Sequence, residues 1–434
     1  MESPSDSQPL LKKIYEFHRL TLSDTDDKIK SSMQQILQLW PDVIAAGDKA
    51  NDDELFTLNV SRAILTQVFT IVLSKDFFSK DHSLIREIYF ACFNILVNHI
   101  EIFQRNDSAF IDSNVRLLMK MMTSISSSVR FQVDDFSQRD ERQLLIAMRE
   151  HLDEDSTHDN LSDGIISYIW NLSDITLLVP VLLKTGYASS VVQWIENRGS
   201  KFREDRLNAP IHILHNLARH DDGIEQLNTF DALNLINEIH FENEIDDEGN
   251  DMTIHIAMIR ALLSSVDQIR NETTNYPRKI VNMLVELAIN AAKNEKYRSI
   301  GSHVSEPLTV LVKLFYNDEI LDSSLSNEAT DSSSINTQSI IEIFASLLVK
   351  FYPKINSDGE LLEKYTCVVI FNLFWLISNH EKYRSFLVGQ KSLLEVIQRA
   401  VKDEITFVDT FMPRTMKTIK EAAEEIVKNL NLEN

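Results

Sequence analysis

Apolar residues recur at helical spacing along almost the whole chain. Leu10, Leu11, Ile14, Phe17 and Leu20 form one apolar face, and Ile29, Met33, Ile36, Leu37 and Trp40 form a second. The second face is expected to end before Pro41, because proline has no N–H to donate within a helix. The same i, i+3, i+4 pattern predicts helices at about 52–75, 83–104, 110–127 and 139–152. A last helix is expected at about Phe411 to Leu430, its charged outer face suited to a terminal cap. No Asn-Gly or Asp-Gly turn joins two alternating runs, so the pattern carries no hairpin signal. It predicts an all-α fold.

From Ile166 onward the pattern repeats. Ile165-Ile166-Ser167-Tyr168-Ile169-Trp170-Asn171-Leu172 lies over the octapeptides ending at Leu217 and Leu262, each 45 residues further on. Three apolar triplets coincide: Ile166/Ile211/Ile256, Ile169/Leu214/Ile259 and Leu172/Leu217/Leu262. Glu295-Lys296-Tyr297-Arg298-Ser299 recurs unchanged at Glu381 to Ser385, an offset of 86, which reads as two units of 43. Its flanks agree, with Leu284/Ile370 and Leu287/Leu373 before it and Leu308/Leu394 and Val310/Val396 after it. The pentapeptide is expected to be a turn into a short helix, with Tyr297 and Tyr383 packed between units. A unit of this length is two or three short helices that bury their apolar faces only by stacking on neighbours.

Two segments interrupt the pattern. Residues 242–251 read as an acidic loop, and residues 322–339 read as a flexible insertion rich in Ser, Asp, Asn and Thr. Ser323, Ser324 and Ser332 to Ser334 offer phosphorylation sites there, although a passive linker is the commoner role for such a stretch. Residues 1–150 are helical but show no clean repeat, so they are either degenerate repeats or a separate cap, whereas 151–434 form the repeat region.

Trp170-Asn171-Leu172-Ser173-Asp174 and Trp375-Leu376-Ile377-Ser378-Asn379 resemble the Trp-x-x-x-Asn signature of armadillo repeats. His215-Asn216-Leu217-Ala218-Arg219, followed by Asp221-Asp222-Gly223, is similar to the end of an armadillo third helix. The resemblance covers roughly 160–430. It implies a right-handed α-α superhelix, an armadillo-type solenoid whose third helices line a groove for an extended peptide or a partner protein. The groove residues it implies are Trp170, Asp174, His215, Arg219, Arg260, Ile289, Lys293, Trp375 and Asn379. Asp174 departs from the Asn of the signature, and the regular Trp and Asn ladder of nuclear-import adaptors is absent. The expected function is a non-catalytic scaffold or adaptor. The alternative is a regulatory or ligand-sensing arm acting on a separate catalytic module.

Composition narrows the chemistry. Only 9 of 434 residues are glycine, which disfavours Gly-rich phosphate loops and folds that need many tight turns. The formal net charge of -22 opposes nucleic-acid binding, since no basic run offsets it. The apolar stretches Ile175 to Leu183 and Cys367 to Ile377 fall short of the roughly 20 residues of a membrane span, and no membrane insertion is expected. The polar N-terminus and the two isolated cysteines, Cys92 and Cys367, suit the cytoplasm or nucleus.

Candidate chemical sites are sparse. His212, His215 and His220 cluster, but only the first two share a helix face, too few to hold zinc. Glu244 to Gly249 imitates a calcium loop whose twelfth position, His255, is not the required Glu. No nucleophile elbow, P-loop, zinc-protease motif or dinucleotide fingerprint is present. No cofactor and no metal are expected, and the oligomeric state stays open.

Overall fold

Each apolar stripe in the sequence is one face of a helix, and the helices come in recurring pairs, a second and a third helix per repeat. The computed structural model describes residues 7–47, 50, 52–75, 77, 81–104, 109–132, 134–154, 160–197, 208–239, 251–271, 278–325, 337–357, 361–407 and 413–432. The chain divides into two units, Met1–Leu217 and Ala218–Asn434. The fold is all-α and of the armadillo solenoid type.

In unit 1, a short helix α1 (Ser7–Tyr15) precedes α2 (Asp26–Gly47) and α3 (Asp52–Ser74). Then come α4 (His82–Val97), α5 (Ala109–Ile125), α6 (Arg139–Glu154) and α7 (Asn160–Ser173). The unit ends with α8 (Val179–Lys184), α9 (Tyr187–Glu196) and α10 (Asn208–Ala218). The second helices α2, α4, α6 and α9 pack on one another in succession. The third helices α3, α5 and α7 form a parallel series. Among the described residues before 155, the helices from Asp26 to Glu154 therefore pack in the same two layers that α7 and α9 continue within unit 1. Large side chains fill the space between the layers, among them Trp40, Tyr89, Phe93, Tyr168 and Trp194, all fully buried. Tyr89 and Tyr168 satisfy each other's hydroxyls at 2.9 Å.

Unit 2 continues with α11 (Asp221–Thr229), α12 (Ala232–Glu238), α13 (Asp251–Leu263), α14 (Val266–Arg270) and α15 (Arg278–Lys293). A hairpin of β1 (Arg298–Ser299) and β2 (Ser302–His303) leads into α16 (Ser305–Leu314). It is followed by α17 (Asp318–Leu325), α18 (Thr337–Phe351), α19 (Leu361–Asn379), α20 (Glu381–Val388), α21 (Lys391–Lys402) and α22 (Ile419–Asn429). Here α15, α18 and α21 stack as second helices, and α13, α16, α19 and α22 as third helices. Helix α19 is apolar and long enough to cross a bilayer. Its apolarity is accounted for by burial against α16, α18 and α22.

The 45-residue register is that of the fold. All nine residues of its three triplets are buried, on the third helices α7, α10 and α13. The 86-residue offset is not. It lays the second helix α15 over the third helix α19, and the third helix α16 over the second helix α21.

The shared pentapeptide also takes two conformations. Glu381 to Ser385 is helical, with Tyr383 buried and its hydroxyl donating to Asp322 Oδ1 at 3.2 Å. In the other copy Tyr297 turns to φ 54° and the chain enters the hairpin. The hairpin turn is Ile300-Gly301, with φ 49° and 79°. Isoleucine at a position that favours Asn or Gly explains why the sequence carries no hairpin signal.

Other expectations change at element ends. Helix α2 runs through Pro41 to Gly47, and Val43 and Ile44 beyond the proline are buried. That burial offsets the lost N–H, a cost of about 3 kcal/mol in an unsupported helix. The last helix begins only at Ile419, where Thr418 and Glu421 form a capping box. Asp322 to Leu325 closes α17 and Thr337 opens α18, so helices enter both ends of the expected insertion. Residues 326–336, with Ser332 to Ser334, and the acidic stretch 240–250, with its calcium-like Glu244 to Gly249, lie outside the described residues.

Candidate functional site

The third helices carry the signature tryptophans, and the serine three residues on ties each to the helix below. In unit 1 the Ser173 hydroxyl donates to the Trp170 carbonyl at 2.6 Å. It accepts in turn from Asn216 Nδ2 on α10 at 2.9 Å, and the same amide donates to Asp174 Oδ1 at 2.7 Å. Unit 2 repeats the arrangement. Ser378 donates to the Trp375 carbonyl at 2.7 Å, and Asn429 Nδ2 on α22 donates to Ser378 Oγ at 2.9 Å and Asn379 Oδ1 at 2.8 Å. The last residue of each signature thus has an oxygen committed to a clasp between successive third helices. Asp174 substitutes for Asn without loss because the clasp uses only that oxygen as an acceptor.

The two tryptophans differ in what covers them. Trp170 is half-buried and lies flat on the His212 imidazole, centroids 4.5 Å apart and planes 12° from parallel. This makes an aromatic shelf across α7 and α10. Trp375 packs edge-on against Tyr316 at 6.2 Å, and Lys417 Nζ lies 4.6 Å from its ring centroid.

Lys417 belongs to a strap, residues 413–417, that touches α11, Tyr316 just after α16, and α19 of unit 2. Arg414 pairs with Asp221, Asp222 and Glu225 of α11. The Thr415 carbonyl accepts from the Tyr316 hydroxyl at 2.8 Å. The Lys417 backbone is held at both ends by the fully buried Asn372, which receives its N–H and donates to its carbonyl, each at 2.8 Å. Tyr316 and Trp375, which the strap touches, also line a groove of about 660 Å³ together with Arg270 and Asn379 among others.

The exposed Arg414 pairs contribute little to stability; Asn372 holds the strap. Replacing Asn372 with alanine removes three hydrogen bonds and is expected to cost about 2–3 kcal/mol. Amides of 413–417 should then exchange faster, as hydrogen-exchange mass spectrometry will show. Unchanged protection there would mean that Asn372 does not hold the strap.

The remaining predicted groove residues differ in exposure and in the helix that carries them. His215 is 2% exposed and Ile289 is 2% exposed, so no partner reaches either. Ile289 and the exposed Lys293 lie on the second helix α15, placed among the third-helix positions by the false 86-residue register. Arg219 and Arg260 are half-buried, and Arg219 pairs with Glu306 at 3.3 Å. His220 is buried, its pKa lowered to about 3 by desolvation and then by Arg219. Burial likewise pushes the Cys92 thiol up to about 12 and raises that of Cys367, which keeps both unreactive.

Sequence reasoning missed a second groove in unit 1, also of about 660 Å³, between α3, α5 and α7. Its cations, Arg62, Arg116 and Lys120, fall in the part of the chain where no repeat register was found.

No protein-family model matches the chain, and no curated protein matches it in sequence. Among solved structures it is similar to one from work on a phosphorylation switch controlling the interaction between cadherin and beta-catenin. That match has a TM-score of 0.50 and 12% identity, and covers 98% of this chain and 86% of that one. The chain also aligns with SYS-1 at a TM-score of 0.35 and 11% identity, over 98% of this chain and 84% of that one, a likeness too weak to bear on the fold. The first match supports the armadillo-type fold and nothing finer.

Proposed function

We propose that the chain is a non-catalytic scaffold that holds a partner protein, or an extended segment of one, on the third-helix face of unit 1. The Trp170–His212 shelf is the observation that carries this reading. It is half-exposed and flat, and the Ser173–Asn216 clasp fixes it from below, so a partner side chain stacks on it at little entropic cost. Trp375 supports no such role while Lys417 sits on it. The buried thiols suit a reducing compartment, the cytoplasm or nucleus.

The test is cross-linking capture from lysate with the intact chain and with a Trp170→Ala/His212→Ala variant of matched melting temperature. Partners retained by the intact chain should fall at least tenfold with the variant. Equal retention by both would remove the shelf from the binding surface.

A further inference from the structure

We propose that the groove between α3, α5 and α7 of unit 1 binds an extended, carboxylate-rich segment of a partner protein. The proposal rests on the scaffold reading and names the chemistry of what is held.

The groove is lined by Arg62 of α3 and by Arg116 and Lys120 of α5, with hydroxyls from Thr66, Ser113 and Ser167. In a chain of net charge -22, cations are expected to be consumed by neighbouring carboxylates. Among the described residues these three are paired with none, whereas Arg86, Arg149, Arg219 and Arg414 all are. Asp163, the one carboxylate on the lining among the described residues, is within ion-pair distance of none of the three. Arg116 and Lys120 stand four residues apart on one helix face, a like-charge spacing that costs the isolated helix a few tenths of a kcal/mol. Three unpaired cations facing one groove therefore work against the protein alone and favour an anion laid across them.

Geometry sets the size of that anion. Neighbouring helices pack 8–10 Å apart, so a segment crossing three of them spans roughly 20 Å, about six residues of extended chain. The hydroxyls supply partners for its backbone between the charged contacts. Gly164 lets α7 approach closely here, since a Cβ at that position would lie 2.9 Å from Met119 Cε and 3.1 Å from Arg116 Cγ. A nucleic acid fits less well. Three cations neutralise only a few phosphates, and a longer polyanion meets the net repulsion of the whole chain.

The test is fluorescence anisotropy on the full chain with three labelled probes. These are an octapeptide of Asp, Glu and Ser with four carboxylates, its Asn/Gln counterpart, and a twelve-nucleotide single-stranded DNA. The acidic peptide should bind, weaken at least tenfold in an R62Q/R116Q/K120Q variant, and weaken again between 50 and 200 mM salt. Its amide counterpart should bind at least tenfold more weakly. Equal binding of the two peptides, equal binding to the variant, or tighter binding of the DNA would each overturn the proposal. Because Arg116 and Lys120 are exposed, the R116Q/K120Q pair keeps the test decisive should the triple variant melt early. If partners captured from lysate depend on Trp170 and His212 but survive R62Q/R116Q/K120Q, the scaffold stands and this inference fails alone.

Discussion

Replacing Trp194 with alanine is expected to destabilise unit 1 by about 4 kcal/mol, within the usual range for removing a fully buried tryptophan. Trp194 lies on α9 with no exposed surface, and its indole stands edge-on to Tyr187 at 6.2 Å. Its Nε1–H donates to Asp153 Oδ1 of α6 at 2.8 Å, and Ser190 donates to the other carboxylate oxygen at 3.0 Å. The Tyr187 hydroxyl donates to the Leu145 carbonyl at 2.9 Å. The second helices of two successive repeats are thereby joined by polar bonds as well as by packing. Phenylalanine at 194 keeps much of the volume and loses only the N–H, so its cost should be nearer 1–2 kcal/mol. Urea unfolding followed by near-ultraviolet circular dichroism separates the two. Equal losses for Ala and Phe would show that the hydrogen bond, not the buried ring, carries the contact.

Trp194 also shows where the sequence is silent. Trp170 and Trp375 stood out because a short signature surrounds them, whereas Trp40 and Trp194 stabilise the fold with no motif at all. The all-α class and the helix spans near 52–75, 110–127 and 139–152 were legible because amphipathic periodicity is a local property. The 45-residue register was legible because third helices of equal separation present the same buried triplet.

Register failed where connections vary. In unit 1 the third helices end at Ser74, Ile125 and Ser173, spacings both longer than 45 and unequal. The cations of the basic groove therefore never aligned with the later repeats. In unit 2 the identical Glu-Lys-Tyr-Arg-Ser copies imposed a false alignment. A second and a third helix carry the same apolar spacing, and nothing local distinguishes them. What separates the copies is downstream: Gly301 allows the hairpin after one, and Phe386-Leu387 continues the helix after the other. Nor does the sequence foretell the strap, since Arg414 reaches α11 from 189 residues or more away.

Unit 2 is expected to lose stability as the pH falls from 6.5 toward 4, through His220 and His303. Both are buried. Desolvation lowers the pKa of His220 to about 3, with Arg219 adding to it. Desolvation and then Arg298 lower that of His303 to about 4, against the opposing pull of Glu306. The geometry at His303 agrees: its Nδ1 accepts the Ser305 N–H at 3.2 Å and bonds the Ser305 hydroxyl at 2.9 Å, which requires an unprotonated Nδ1. Below pH 6.5 the unfolded chain binds a proton at each site and the folded chain does not. Stability is therefore fully present above 6.5 and falls by up to about 1.4 kcal/mol per pH unit for each histidine. By pH 5 the combined loss is on the order of 4 kcal/mol. The carboxylates with lowered pKa, Asp24, Asp81 and Glu421, are held below the ordinary carboxylate range by their hydrogen bonds, so they act mainly at lower pH. Denaturant midpoints at pH 7.5, 6.5, 5.5 and 5.0 are the measurement. A His220→Gln/His303→Asn variant, whose Asn oxygen can still accept from Ser305, should show a much flatter dependence over that range. The same slope in the double variant would assign the acid sensitivity to other groups. A flat slope in the parent chain would show that both imidazoles accept protons in the folded state, against the geometry at Ser305.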